Sequence, residues 1–489
     1  MKKLNSIILA ATLLGSSTAV AEDVKVKLNA NGTLVFKKNP PSVDDIGEIF
    51  TKGIFYGRFR LNTFKWDWDV EGKKTKDNWS IGIGGSLLYK TAEFKGFSAM
   101  VGAYTSQSPW HMDRDEVKFL KAGKNTTSRL KVSRSGDWGI TVLAQSYLQY
   151  KISKTIFRAG RQIFESYLTK SNDTKMIPNT FEGYTIVSKD LPKTTLKVAY
   201  LTSQKLRDHT SFHDVITFKD ADGVKWANND DSAINKSITY QKLENANMDV
   251  DHALLVLEAI NKSIKNLKLK ANYTAVPDIV SSATIEGSYT LKAGKFKVIP
   301  AFRYMRQFDD IGGKLGEVAN LKGKSIGYKD PNSLDSYLYA FKVDFKTPYA
   351  WKLRLGYSKV ADEADILAPW RGFPTGGFTR AMAQYNWYAN TKTYMARVDY
   401  DFNKAGLVPG LKGMVRYAIQ DFDDSKPGVQ ADSRVWHIDF IKSFMSLPNL
   451  EARVRIGLID GDSNTIAQDG TKKADPSYNE YRFELNYLY

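Results

Sequence analysis

Arginine and lysine side chains recur at every second position in segments that are otherwise apolar. Arg453 and Arg455, for example, alternate with Val454 and Ile456. Successive side chains of a β-strand point to opposite faces, so this spacing predicts strands with one basic face and one apolar face. Guanidinium and ammonium groups bind carboxylates and phosphates through charge-assisted hydrogen bonds, and the basic face could therefore bind anions. The basic residues singled out at such positions are Arg58, Arg60, Arg158, Lys197, Lys268, Lys270, Arg303, Arg354, Arg397, Arg416, Arg453, Arg455 and Arg482.

Acidic residues occupy fewer of the same positions. They are Glu258, Glu286, Asp344, Asp399, Asp439 and Glu484. A basic side chain facing lipid at mid-depth would cost about 2–4 kcal/mol, so the charged faces are expected to meet water. Two interpretations stay open at this point. Either the surplus of positive charge makes the channel selective for anions, or the basic residues pair with neighbouring acids and only keep the wall of the lumen hydrated.

The N-terminus has the features of a secretory signal peptide. Lys2 and Lys3 precede the short apolar run 7–14, and Ala-Val-Ala at 19–21 forms a small-x-small cleavage site, which predicts a signal peptide over residues 1–21. The formal charge of +17 becomes +15 when these two lysines are removed. Export argues against nucleic acid as the partner of this charge. The chain has no cysteine, which excludes thiolate metal sites and cysteine nucleophiles.

Eighteen alternating segments of about ten residues can be counted along the chain, and no downstream apolar run is long enough for a spanning helix. Their connections are alternately long, as at 106–139, and short, as at 151–154, except near 276–278. This rhythm is typical of outer-membrane barrels. The sequence therefore predicts an all-β fold, a transmembrane antiparallel β-barrel of about 18 strands over residues 53–489, with short periplasmic turns and long extracellular loops. Residues 22–52 would form a short periplasmic segment before it.

The C-terminal strand has an apolar or aromatic residue at every second position, namely Tyr481, Phe483, Leu485, Tyr487 and Tyr489. Such a strand resembles the signal that the barrel-assembly machinery reads. Tyrosine and tryptophan also cluster at the ends of other segments, where amphipathic rings favour a membrane interface. We therefore expect the outer face to contact outer-membrane lipid and lipopolysaccharide.

The third long connection, at about 161–183, is rich in turn-forming and hydrogen-bonding residues. It contains Gly160, Ser171-Asn172-Asp173, Lys175, Pro178 and Thr180-Phe181-Glu182-Gly183. Two other stretches are Val408-Pro409-Gly410-Leu411, and Ala389-Asn390-Thr391 leading to Tyr400-Asp401-Phe402. In these motifs the chain resembles the outer-membrane porin D (OprD) family of substrate-specific channels.

The resemblance implies an eighteen-stranded barrel whose third loop folds into the lumen and sets an eyelet. It also implies a ladder of basic residues that guides carboxylate-bearing solutes. Carried onto this chain, the eyelet candidates are Ser171, Asn172, Asp173 and Lys175, and the ladder candidates are the arginines Arg58, Arg60, Arg158, Arg354, Arg397, Arg416, Arg453, Arg455 and Arg482. We expect a porin of the Gram-negative outer membrane that passes small anionic or carboxylate solutes by passive diffusion, without a cofactor.

Other functions stay open. A general porin without selectivity or a sugar channel would show the same strand pattern, and the sequence is compatible with a monomer or a trimer. A hydrolase could assemble serine, aspartate and either His252 or His437 from separate strands, although no Gly-x-Ser-x-Gly elbow is present. We expect no enzyme activity.

No metal site is expected either. His209 and His213 lie four residues apart, but in a polar loop without a helical pattern. The acidic residues Asp220, Asp222, Asp230 and Asp231 are more typical of a solvated loop than of a calcium site. The stretch 369–378 could fold over the mouth of the barrel, but a plain surface loop is expected.

Overall fold

Eighteen antiparallel strands form a closed barrel in the structure, a computed structural model that describes residues 26–72, 75–120, 126–218, 235–382 and 385–489. Each strand pairs with its neighbours in chain order, and the last pairs with the first. The strands are β1 Ile54–Trp68, β2 Asn78–Lys90, β3 Phe97–Gln107, β4 Ile140–Ile152, β5 Thr155–Gln162, β6 Thr180–Ser188, β7 Thr194–Lys205, β8 Leu254–Asn261, β9 Leu267–Val276, β10 Val280–Tyr289, β11 Phe296–Asp309, β12 Ser336–Lys346, β13 Trp351–Val360, β14 Lys392–Asp401, β15 Leu411–Asp421, β16 Ser433–Ser443, β17 Leu450–Gly461 and β18 Tyr478–Leu488. Closure leaves no unpaired strand edge, as a membrane requires. The predicted fold class is confirmed.

Side chains along each strand alternate between an exposed outer face and the interior. In β1, Phe55 is 65% exposed whereas the next residue, Tyr56, is 2% exposed. Large apolar side chains such as Leu148, Tyr184 and Ile285 are likewise exposed on the outer face. Water would not favour this apolar outer face, but the hydrocarbon of a membrane does.

Long and short connections alternate as predicted and define two ends of the barrel. The long connections at one end, the long-loop end, include loop 2 (108–139), loop 3 (163–179), loop 4 (206–253), loop 6 (310–335) and loop 7 (361–391). Short connections such as 153–154 lie at the other end, the short-turn end. The connection 277–279 between β9 and β10 is short although it lies at the long-loop end. Because the strand number is even, β1 begins and β18 ends at the short-turn end.

Strand β8 begins at Leu254, two residues after His252. The backbone N–H of His252 donates a hydrogen bond to the Asp214 carboxylate at 2.6 Å. The His252 N–H is therefore bonded to loop 4 and does not extend the backbone hydrogen bonding between β7 and β8.

The described elements other than the eighteen strands are short. Strands Val26–Leu28 and Leu34–Phe36 pair antiparallel, and we call residues 26–36 the N-terminal hairpin. Further elements are the strands Ser42–Val43, Glu93–Phe94 and Leu291–Ala293, the α-helices Glu48–Thr51, Arg129–Ser135 and Tyr240–Asn245, and the 3-10 helices Arg114–Phe119 and Gly312–Leu315. The signal peptide predicted over residues 1–21 lies outside the described residues and stays a prediction.

An apolar core lies inside the barrel towards the long-loop end. Leu168 of loop 3, Val215 of loop 4 and Trp370 of loop 7 belong to one buried cluster with the wall residues Met305 and Leu338. Burial of each large apolar side chain contributes roughly 1.5–3 kcal/mol. The core therefore holds three loops inside the lumen, where they can contact the charged wall.

Candidate functional site in the barrel lumen

The thirteen basic residues singled out from the sequence all lie at interior-facing positions of their strands. Their order across the wall follows from the strand register. Arg354 is opposite Arg397, Arg397 is opposite Arg416, and Arg416 is opposite His437. We call these four residues, on β13 to β16, the arginine row. Like charges directly opposite each other destabilise a sheet, so the row is not explained by strand pairing.

Most of the thirteen basic residues have acidic partners. Arg58 and Arg60 share Asp173, Lys197 and Lys270 share Glu258, and Arg453 and Arg455 share Asp439. Single partners are Glu286 for Arg303, Asp344 for Arg354, Asp399 for Arg397 and Glu480 for Arg482. Glu484 is a second, more distant partner of Arg455 at 3.9 Å. Pairing with acids, one of the two interpretations left open by the sequence, therefore applies to ten of the thirteen.

The pairing does not neutralise the wall. The thirteen basic side chains face eight carboxylates, which leaves a surplus of five positive charges within this set. Within the described part of the chain, Arg158, Lys268 and Arg416 have no carboxylate within ion-pair distance. Arg158 donates to the Gln149 side-chain oxygen at 3.0 Å and lies over the Tyr147 ring. The sequence did not indicate Glu480 or Asp173 as partners of the basic residues. Glu480 reaches Arg482 along the same strand, and Asp173 belongs to loop 3, whose position depends on the whole fold.

Among the three basic residues for which the described chain provides no carboxylate partner, Arg416 lies directly between two other basic side chains, Arg397 and His437. Its guanidinium donates to the backbone carbonyl of Arg380 in loop 7, and its buried Nε has no hydrogen-bond partner. Both ring nitrogens of the opposing His437 are buried without a hydrogen-bond partner, although Nε2 lies 4.0 Å from Asp439. Buried polar groups normally have partners, and water or a solute in the lumen could supply them for these atoms.

Loop 3 crosses the lumen and contacts β1, four strands away from its own strand β5. Asp173 pairs with Arg58 and with Arg60, the latter at 2.9 Å, and all three side chains are buried. The Lys175 ammonium lies 4.1 Å from the centre of the Phe64 ring. The third loop is therefore inside the barrel, at the place where an eyelet is expected.

The other two eyelet candidates, Ser171 and Asn172, directly precede Asp173 in the chain. The Ser171 hydroxyl donates to Glu165 of the same loop at 2.6 Å. The Asn172 amide donates to the backbone carbonyl of Arg371 in loop 7. Ser171, Asn172, Asp173 and Lys175 are thus brought together inside the barrel, and their role as an eyelet stays a prediction.

Loop 7 also folds into the lumen, so the expectation of a plain surface loop at 369–378 is wrong. Trp370 is 2% exposed, and its indole N–H donates to the Val215 carbonyl of loop 4 at 2.8 Å. Gly372 donates its N–H to Leu168 of loop 3 at 2.7 Å, and a Cβ at this glycine would lie 2.2 Å from the Leu168 carbonyl oxygen. Only a glycine allows the two loops to approach so closely.

Backbone carbonyls of loop 7 accept hydrogen bonds from the basic wall. Arg303 donates to Pro374 at 2.8 Å and to Gly376 at 2.9 Å. Arg354 donates to Gly377 at 2.9 Å. Each guanidinium keeps further N–H donors, since arginine has five. Loop 7 therefore lines the wall without removing its charge.

Loop 7 is fixed to loop 6 by Asp365. This carboxylate accepts hydrogen bonds from the Tyr328 hydroxyl at 2.7 Å and from the backbone N–H groups of Leu321 and Ala389 at 2.8 and 2.7 Å. Burial raises the pKa of Asp365 to about 6, against the lowering effect of these donors. The residue holds the two loops together.

The N-terminal hairpin lies in the lumen as well. Its Phe36 ring contacts the Tyr56 ring of β1 at 3.9 Å between centres, and its turn contacts loop 3. The sequence contained a signal for this hairpin, since Asn31-Gly32 separates two short runs of alternating apolar residues. It contained no signal for the position of the hairpin inside the barrel.

The two histidines of loop 4 contact each other. His209 Nδ1 lies 2.9 Å from His213 Nε2, and burial lowers the pKa of His213 to about 4. His252 instead hydrogen-bonds Asp214. Among the residues that the structure describes, no three metal-ligating side chains are grouped as a metal site. Asp220, Asp222, Asp230 and Asp231 lie outside the described residues.

Within those same residues, no helix is both long and apolar enough to cross a membrane. A search of curated protein sequences gave no match. Solved structures with the same fold include OccK8 (OprE) of Pseudomonas aeruginosa, with 15% identity, a TM-score of 0.66, and coverage of 90% of this chain and 99% of that one. OccAB2 of Acinetobacter baumannii has 19% identity and a TM-score of 0.65, with coverage of 91% and 99%. A structure of P. aeruginosa OpdK with vanillate has 14% identity and a TM-score of 0.65, with coverage of 89% and 98%.

The sequence also matches a family model over residues 123–487, about three quarters of the chain. The model describes the OprD family of outer membrane porins. The matched range contains loops 3 and 7 and most of the basic wall. This chain therefore belongs to the OprD family and is a porin of the outer membrane of Gram-negative bacteria.

Proposed function

We propose that the channel passes small anionic solutes, in particular carboxylates, by passive diffusion. The observation that carries the proposal is Arg416, a lumen arginine without a carboxylate partner in the described chain, between Arg397 and His437. An anion beside Arg416 would offset the repulsion within the arginine row. The surplus of positive charge among the thirteen basic residues and their carboxylate partners supports the same preference for anions.

The distribution of basic groups suits transport better than tight binding. The thirteen basic side chains lie on β1, β5, β7, β9, β11, β13 to β15, β17 and β18, so an anion can exchange one partner for the next along this part of the wall. A pore needs several weak sites, because one strong site would trap the solute. Arginine forks match the planar geometry of carboxylates, which supports carboxylates as the solute class. The OpdK structure contains vanillate, an aromatic carboxylate.

The outer face supports two further parts of the proposal. Tyr481, Phe483 and Tyr487 of β18 are exposed on the outer face, as a strand read by the barrel-assembly machinery would present them. The apolar outer surface accommodates lipid around a monomer or a neighbouring copy in a trimer. The solute leaves the channel chemically unchanged, so no catalytic role is proposed.

A liposome-swelling experiment with the refolded protein tests this function. Gluconate, glucose and glucosamine have similar sizes but carry a negative, zero and positive charge. We expect gluconate to enter fastest and glucosamine slowest, because the surplus positive charge concentrates anions in a narrow lumen. Equal rates for the three would instead indicate a general porin, and fastest entry of glucose would indicate a sugar channel.

A further inference from the structure

The N-terminal hairpin enters the lumen from the short-turn end. The chain between the hairpin and β1 crosses this end, where Ser42–Val43 pairs with Glu93–Phe94 and the Ala92 N–H donates to Ile49. The hairpin strands then pack against the interior face of β1 to β4. Leu28, Leu34 and Phe36 contact a buried cluster that includes Tyr56 and Leu88.

The turn of the hairpin contacts loop 3 through several polar atoms. The Thr33 and Ser171 hydroxyl oxygens are 2.8 Å apart, and the Asn31 amide lies 3.3 Å from the Ser171 hydroxyl. Asn31 also donates to Glu165 of loop 3. These contacts involve the eyelet candidate Ser171 directly.

Gly32 brings the two backbones together. Its φ of +79° lies in the left-handed region, and a Cβ at this position would lie 1.9 Å from the carbonyl oxygen of Asp173. The Gly32 carbonyl accepts a hydrogen bond from Arg58 at 2.7 Å, and Arg58 also pairs with Asp173. The hairpin, loop 3 and the basic wall therefore meet at one point.

We propose that the N-terminal hairpin is a tethered latch that holds loop 3 across the lumen and narrows the channel. The hairpin occupies part of the lumen and contacts the loop through its turn, while its strands remain packed on the wall. When the turn leaves loop 3, Ser171 and Asp173 lose their contacts with it and the channel widens. The latch requires only that the chain is a porin and does not depend on the proposed anion selectivity.

A disulfide between the hairpin and loop 3 tests the latch, since the chain has no cysteine of its own. Thr33→Cys combined with Ser171→Cys places two sulfurs where the hydroxyl oxygens are in contact, a position suited to a disulfide. We expect the oxidised double variant to show only a low single-channel conductance in planar bilayers. Reduction of the same protein should restore transitions to a higher level. The single variants Thr33→Cys and Ser171→Cys should show no response to oxidation.

A second pair of variants tests the latch without a cross-link. Gly32→Ala is expected to displace the turn and increase the time spent at the high conductance level. Gly470→Ala is the matched control, because Gly470 has a similar φ of +78° with no atom within 4 Å of the added Cβ. Deletion of residues 26–36 should give the high level permanently, in protein whose heat-modifiable gel migration shows a folded barrel.

Three outcomes would overturn the latch. The first is that no disulfide forms in the folded double variant, since the two side chains would then not be in contact. The second is that the oxidised and reduced proteins show the same conductance and the same transitions. The third is that the folded deletion variant conducts like the unaltered protein.

Discussion

Replacing Asp173 with alanine is expected to release loop 3 from β1 and to increase the conductance of the channel. Asp173 is the carboxylate shared by Arg58 and Arg60, and all three side chains are almost completely buried. Breaking a buried ion pair by removing one partner typically costs about 3–5 kcal/mol, because the other charge is left uncompensated. Without Asp173 both arginines lose the carboxylate they share, and water or an anion can enter this region to offset their charge.

The loss of this ion pair should destabilise the position of loop 3 and leave the barrel intact. The strands are joined by continuous backbone ladders that do not involve Asp173. Single-channel recording should therefore show a higher and more variable conductance, and loop 3 should become accessible to protease. Asp173→Asn should have a smaller effect, since the amide oxygen still accepts a hydrogen bond from Arg60.

Glu182→Gln is the matched control for Asp173→Ala. Glu182 pairs with Arg161 at 2.7 Å, but about a third of each side chain is exposed. Pairs of this kind contribute about 0–1 kcal/mol, so conductance should stay unchanged. Unchanged conductance of Asp173→Ala, in folded protein, would contradict the role assigned to loop 3.

Replacing Arg416 with glutamine is expected to reduce the preference of the channel for anions. One unit charge at 4 Å contributes about 1 kcal/mol in water and more in a narrow lumen, which corresponds to a change of roughly fivefold in anion occupancy. Arg416→Glu should reduce the preference further, because it adds a negative charge beside Arg397 and His437. The measurement is the permeability ratio of chloride to potassium for each variant.

Arg306→Gln provides the comparison for Arg416→Gln. Arg306 lies at an outward position of β11, where it pairs with Glu363 at 3.1 Å and Asp335 at 3.5 Å. This variant loses the same charge without changing the lumen and should keep the original permeability ratio. An equal decrease in both variants would mean that total charge, and not the arginine row, determines selectivity.

The sequence was sufficient to predict the barrel and the direction of its basic side chains. Alternation determines which face each residue occupies, and the cost of a charge in lipid determines which face is the lumen. This reasoning assigned Arg416 and Arg455 to the interior face without knowledge of their neighbours, and their roles in transport stay predictions. It could not give their partners, since the register between strands decides that Arg416 is opposite His437 while Arg455 is close to Asp439.

The inner loops show where sequence reasoning reached its limit. Loop 3 was predicted to enter the lumen from its motifs, but its contact with Arg58 joins residues 115 positions apart in the chain. Loop 7 and the N-terminal hairpin were not predicted to lie inside. The Trp370 indole, for example, donates a hydrogen bond to the carbonyl of Val215, 155 residues away in the chain. The local alternation of apolar and polar residues does not indicate such a contact.

The reversal potential of the unaltered channel under a gradient of potassium chloride tests the central claim most directly. The mature protein would be refolded, shown to be folded by its gel migration, and inserted into a planar bilayer with tenfold more salt on one side. The surplus of positive charge in the lumen predicts a reversal potential with the sign of chloride permeation, decreasing as the salt concentration rises and screens the wall. A reversal potential with the sign of potassium permeation would contradict anion selectivity while leaving the porin fold unaffected.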